Sequence, residues 1–126
     1  MSPVKILIIE DNPLNLKLTQ TLLSHAGYKI ITANDGETGI KTATQQKPDL
    51  ILMDMQLPKL SGYEATQHLK SKAQTMHIPI VALTASALPE EREQAYAAGC
   101  DGYIVKPINT RQFPKQIASY LRGKFD

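Results

Sequence analysis

The sequence predicts a doubly wound α/β domain, with a parallel sheet covered by helices on both faces. Short β-branched runs alternate with longer segments of helical character from end to end, five of each. Such alternation implies parallel strands joined by right-handed helical crossovers. Three of the runs are also nearly continuous in apolar residues, the pattern of strands buried on both faces. A length of 126 residues suits one compact domain with its own core. Residues 1–126 are therefore expected to form a single domain, without repeat, linker or low-complexity tract.

The first strand is expected over residues 4–9, "VKILII", and the first helix over residues 14–26, stopped by Gly27. Glycine adopts the left-handed cap conformation at little cost, which makes it a helix stop. A second strand follows over residues 29–33 and a second helix over residues 35–46. "LILM", residues 50–53, is the third strand, and a turn rich in Pro and Gly leads from it to a helix over residues 62–71. The fourth strand is "IVAL", residues 80–83, followed by a helix over residues 89–98 that Gly99 ends. The fifth strand spans residues 102–105 and the last helix residues 111–122.

Composition excludes several classes of function. The 42% hydrophobic and 21% charged fractions are those of an ordinary soluble protein, and no apolar run approaches the ~20 residues needed to cross a bilayer. The opening "MSPVKILIIEDN" reads as a strand rather than a signal peptide, so a cytoplasmic protein without a membrane partner is expected. Its 14 basic and 12 acidic residues are dispersed and leave a net charge of only +2, which gives nucleic-acid binding no footing. The single cysteine, Cys100, has no His or Cys at ligand spacing and reads as a structural thiol. His25, His68 and His77 share no motif and fit no zinc pattern.

In doubly wound sheets ligands bind beyond the carboxyl ends of the strands, so the residues that follow each strand matter. Strand one runs into Glu10 and Asp11, strand three into Asp54, strand four into Thr84, and strand five into Lys106 and Pro107. Each has an ordinary role when taken singly. Acidic residues after a strand cap helices, a threonine there forms turns, and a lysine is solvated. Together they would bring three carboxylates, a hydroxyl and an ammonium to one edge, and that coincidence favours a site.

Three clustered carboxylates repel one another in a partly desolvated site. They imply a hard divalent cation, and oxygen ligands with retained waters suit Mg²⁺. Magnesium in turn suggests a phosphoryl group. A carboxylate can attack phosphorus and carry it as an acyl phosphate, whose oxygens are then met by the metal, an ammonium and a small hydroxyl. Lys106 and Thr84 are the right types.

"IIEDN", "LILMDMQLPKLSGYE", "IPIVALTA" and "GYIVKPI", in this order and spacing, resemble the receiver domain of two-component response regulators over essentially the whole chain. The resemblance implies a flavodoxin-like strand order of 2-1-3-4-5. It further implies that Asp54 accepts a phosphoryl group from a phosphohistidine on a histidine kinase or a histidine phosphotransfer protein. By the same resemblance Asp11, Asp54 and the main-chain carbonyl of Gln56 bind Mg²⁺, with Glu10 acting through water, while Thr84 and Lys106 contact the acyl phosphate. Tyr103 matches an aromatic position whose rotamer follows the threonine, and the Lys106–Pro107 bond matches one that is commonly cis. Gln56 and Ser86, two residues beyond Asp54 and Thr84, match positions that tune the lifetime of the phosphorylated state. Such a protein is a phosphoryl-accepting regulator rather than an enzyme.

A phosphohydrolase of the haloacid dehalogenase type shares the Asp, Thr, Lys and Mg²⁺. Those enzymes carry a second aspartate two residues after the nucleophile, where this chain has Gln56. An FMN-binding module needs a Ser-, Thr- and Gly-rich phosphate loop after strand one, where "EDNPLN" would repel phosphate.

Only residues 123–126 follow the expected last helix, so a stand-alone receiver that signals through protein contacts is expected. Leu14, Leu16, Leu18, Leu22, Leu23 and Ala26 span an apolar arc wider than the ~100° a helix normally buries. Leu14 or Leu16, near Pro107, is expected to contact the helical domain that delivers phosphate. Phosphate on Asp54 is expected to draw the loop "TASALPEER" inward and let Tyr103 turn in. That would alter the surface of the fourth helix, fifth strand and fifth helix, which a downstream protein reads.

Overall fold

The sheet has five parallel strands in the order β2-β1-β3-β4-β5. The computed structural model describes residues 3–125; Met1, Ser2 and Asp126 of the expected 1–126 domain lie outside the described residues. In chain order the elements are β1 (Lys5–Ile9), α1 (Pro13–His25), β2 (Lys29–Ala33), α2 (Gly36–Gln46), β3 (Leu50–Asp54), α3 (Gly62–Lys70), β4 (Ile80–Thr84), α4 (Pro89–Ala98), β5 (Gly102–Val105) and α5 (Phe113–Phe125). This is the flavodoxin-like α/β architecture expected from the sequence.

Alternate side chains of the strands feed two cores. Leu7, Ile9, Ile51, Met53, Ile80 and Ala82 face a layer with Ala43, Ala65, Leu69 and Ala95 from α2, α3 and α4. Ile6, Ile8, Leu50, Leu52, Val81 and Leu83 face Leu23 of α1 and Phe113, Ile117 and Leu121 of α5. β1, β3 and β4 are buried on both sides, which is why their sequences read as continuous apolar runs rather than alternating ones.

Local chemistry sets the helix ends. Asn12 caps α1, its side chain accepting from Leu14 N and Asn15 N at 3.0 and 3.1 Å, with Pro13 at the first helical position. Ser61 and Glu64 form a reciprocal capping box at α3. Gly27 (φ 101°) follows α1 and Gly99 (φ 116°) ends α4, both in the left-handed region. Lys47 ends α2 at φ 49° without being glycine, a stop that composition does not announce. The last helix begins at Phe113 rather than residue 111. Asn109 Oδ1 accepts from Arg111 N and Gln112 N at 3.0 Å each, and this holds those residues in a turn. It also continues to Phe125, past the expected end at residue 122. Among the described residues no helix is long and apolar enough to cross a membrane.

Candidate functional site

The carboxyl ends of β1 and β3 are adjacent and in register, Ile9 opposite Met53. The residues that follow therefore emerge side by side. Glu10 and Asp54 are 1% and 3% exposed, and Asp11 lies open to solvent. One carboxylate oxygen from each of Glu10, Asp11 and Asp54 lies within 4.8 Å of the other two. None of the three is spent on capping a helix, because Asn12 caps α1 and Ser61 caps α3. Asp54 does accept the Gln56 N–H at 3.0 Å, which fixes the carboxylate against the following turn.

Lys106 follows β5, on the far side of β4, and its long side chain reaches across the sheet end. Its ammonium lies 3.1 Å from Glu10 Oε1 and 3.5 Å from Asp54 Oδ1. One cation against two buried carboxylates leaves an imbalance. Burial first, and then the neighbouring Asp54, push the Glu10 carboxyl up to about 7 against the pull of Lys106. Burial pushes Asp54 the same way. It is outweighed there by the hydrogen bonds from Glu10 and the Gln56 N–H and by the charge of Lys106, so Asp54 stays below its ordinary value. Glu10 thus keeps its proton to a higher pH than an ordinary carboxyl, and Asp54 gives its proton up more readily.

The donor set fits magnesium. It is made only of carboxylate oxygens, one of them solvent-facing, and it carries more negative charge than Lys106 neutralises. That is the chemistry of a hard cation that keeps several waters.

Beside the carboxylates, Thr84 is the last residue of β4 and is fully buried. Its Oγ1 accepts from Gln56 Nε2 at 3.0 Å and from Ser86 N at 3.2 Å. Ser86 O in turn accepts from the Tyr103 hydroxyl at 2.6 Å. Tyr103 is half-buried on β5, packed against the core layer of α2 to α4, with the Arg92 guanidinium 5.3 Å from its ring centroid. Its hydroxyl is therefore held by the β4–α4 loop rather than pointing into water. The Lys106–Pro107 peptide bond is cis.

Toward α1 the site opens into a groove of about 300 Å³, whose lining includes Glu10, Leu18, Leu83, Lys106, Pro107 and Ile108. Leu14 is 80% exposed at its rim-bearing helix, while Leu16 is half-buried against the core of α1 and α5. Away from the site, burial pushes the Cys100 thiol up to about 11, where it is inert. The side-chain amide of Gln56 is the site feature that sequence reasoning missed. The sequence marks Gln56 by its main-chain carbonyl and its position, whereas its side-chain bridge to Thr84 depends on how the turn after β3 folds.

Residues 6–118 match the response regulator receiver domain family. The chain is 43% identical over 119 residues to the polar-differentiation response regulator DivK of Brucella anthropi, covering 94% of this chain and 97% of that protein. Among solved structures it is similar to the receiver domain of a sensor histidine kinase of Pseudomonas aeruginosa, which has a magnesium ion coordinated in its active-site cleft. The identity there is 34%, the TM-score 0.88, and 96% of this chain and 99% of that one are covered. A chemotaxis response regulator of Vibrio cholerae superposes with TM-score 0.89 at 28% identity, covering 94% and 98%.

The chain belongs to the response regulator receiver family. Its acidic triad, Glu10, Asp11 and Asp54, forms the magnesium and phosphoacceptor site, and the protein is a signalling phosphoacceptor rather than an enzyme. Membership implies a histidine kinase as its partner.

Proposed function

We infer that Asp54 is the carboxylate that takes the phosphoryl group and that Lys106 and Thr84 receive it there. The observation that carries this reading is the pairing of a buried, ionised Asp54 with the Lys106 ammonium at 3.5 Å inside the acidic triad. Asp54 Oδ attacks phosphorus of the phosphohistidine. The O–P bond forms as the N–P bond breaks, and the released imidazole takes up a proton. Asp11, Asp54 and the Gln56 carbonyl would hold magnesium directly and Glu10 through water; the bound ion supplies the positive charge that lets carboxylates and phosphoryl oxygens share one site. Lys106 pairs with a phosphoryl oxygen, and Thr84 Oγ1 gives another its hydrogen bond.

The donor is a histidine kinase or a histidine phosphotransfer protein that docks over α1 and Pro107. Leu14, exposed on α1, whose Asn15 and Leu18 line the groove that leads to Glu10 and Lys106, is the side chain that meets it, and Leu16 packs against the core between α1 and α5. The receiver works in the cytoplasm. Its output is the face of α4, β5 and α5, where Ser86 and Tyr103 join the loop to the strand. Incubating the protein with a histidine phosphotransfer protein carrying radiolabelled phosphate tests the reading. Label should pass to the receiver only with Mg²⁺ present. Retention of all label on the donor across a panel of such proteins would oppose it.

A further inference from the structure

Gln56 ties two strand ends together. Its main-chain N–H is held by Asp54 Oδ1 at 3.0 Å, its Nε2 donates to Thr84 Oγ1 at 3.0 Å, and its Oε1 accepts from Ala85 N at 3.4 Å. One residue thus joins the end of β3 to the end of β4 and the first position of the loop beyond. From there Ser86 continues the path, donating to Thr84 Oγ1 at 3.2 Å and accepting from the Tyr103 hydroxyl at 2.6 Å.

A threonine hydroxyl has two acceptor lone pairs and one hydrogen. In Thr84 both lone pairs are taken, one by Gln56 and one by Ser86, so these two donors hold the hydroxyl oxygen in place at the end of β4 while its hydrogen is left to donate. Displacing the Thr84 oxygen toward a phosphoryl group on Asp54 stretches the bond from Gln56, whose side chain is also tied to Ala85 N. We propose that the Gln56 side chain is a latch on the β4–α4 loop, holding Thr84 and Ala85 in the phosphate-free arrangement and resisting the displacement of Thr84 toward phosphorylated Asp54. The proposal rests on the phosphoacceptor reading of Asp54 and makes Gln56 a positioning residue for the switch. Because Gln56 is exposed, its side chain can be shortened without opening the core, and its main-chain bond to Asp54 survives.

The test uses Gln56→Ala and Gln56→Met, the second keeping the length but not the amide. Two readouts are needed: amide hydrogen exchange of Ala85 and Ser86 in the metal-free protein, and titration with beryllofluoride and Mg²⁺ followed by amide chemical shifts. Both variants should exchange faster at Ala85. Both should also bind beryllofluoride about fivefold more tightly, the equivalent of one net hydrogen bond of about 1 kcal/mol. Unchanged exchange and unchanged affinity in both variants would overturn the latch, as would wild-type behaviour in Gln56→Met, since bulk alone would then account for the alanine result. Failure of the unmodified protein to bind beryllofluoride would instead refute the reading of Asp54, and the exchange of Ala85 would still report on the latch.

Discussion

Lys106 and Glu10 are 96 residues apart in the chain, yet their side chains meet at 3.1 Å across the end of the sheet. The strand order makes this possible: β1, β3, β4 and β5 are consecutive neighbours, so the residues that follow them line one edge. Lys106 is the counter-charge that lets two buried carboxylates coexist.

Removing that counter-charge has a directional consequence. In Lys106→Ala, Glu10 and Asp54 face each other without a cation, and the metal-free protein should lose about 1.5–3 kcal/mol at pH 8, the range for hydrogen bonds to charged groups. Magnesium should restore most of the loss, because the acidic triad remains. Urea unfolding with and without Mg²⁺ measures both effects. The chemical-shift response of Tyr103 to beryllofluoride should be lost in this variant.

Glu10 makes the metal-free protein sensitive to pH. Its carboxyl is raised from 4.5 to about 7 by burial and by Asp54, so the folded chain holds this proton more tightly than the unfolded chain. Its contribution is complete below the unfolded value and is lost as pH rises through the folded one. Metal-free stability should therefore fall between about pH 5 and 7.5, and Glu10→Gln should flatten that slope. Magnesium competes with the same proton, so its affinity should rise over the same interval. A calorimetric titration at pH 6 and pH 8 compares the two, and equal affinities would remove Glu10 from the metal site.

Gly62 controls the end of β3 by having no side chain. A Cβ there would sit 2.5 Å from the Asp54 carbonyl oxygen and 2.6 Å from Met55 Cα, both main-chain atoms that cannot turn aside. Gly62→Ala should cost about 1–3 kcal/mol, as overpacked sites do, and should weaken Mg²⁺ binding by displacing Asp54. A destabilised variant with unaltered magnesium affinity would mean that the strand end absorbs the shift without moving its carboxylate.

The strands were legible because burial on two faces forces apolar runs, and "LILMD" and "IVALT" show where each run stops. Gly27 and Gly99 marked helix ends for a conformational reason that the backbone carries at φ 101° and 116°. The stop at Lys47 and the turn made by Asn109 were not legible, since a left-handed lysine and a side chain folded back on its own loop leave no compositional trace. At the site, the meeting of Glu10, Asp11, Asp54 and Lys106 followed from strand ends alone. The hydrogen bonds from Gln56 to Thr84 and from Tyr103 to Ser86 required loop geometry, which depends on backbone torsions that residue types do not fix.

The central claim is that Asp54 carries the phosphoryl group, and mapping the adduct after treatment with acetyl phosphate and Mg²⁺ tests it most directly. The unmodified protein should gain one phosphoryl group, labile to hydroxylamine as an acyl phosphate is, on the peptide that contains Asp54. Asp54→Asn should gain none. That variant should remain folded, because the Gln56 N–H keeps an acceptor in the amide oxygen. Undiminished, hydroxylamine-labile labelling of Asp54→Asn would contradict the account.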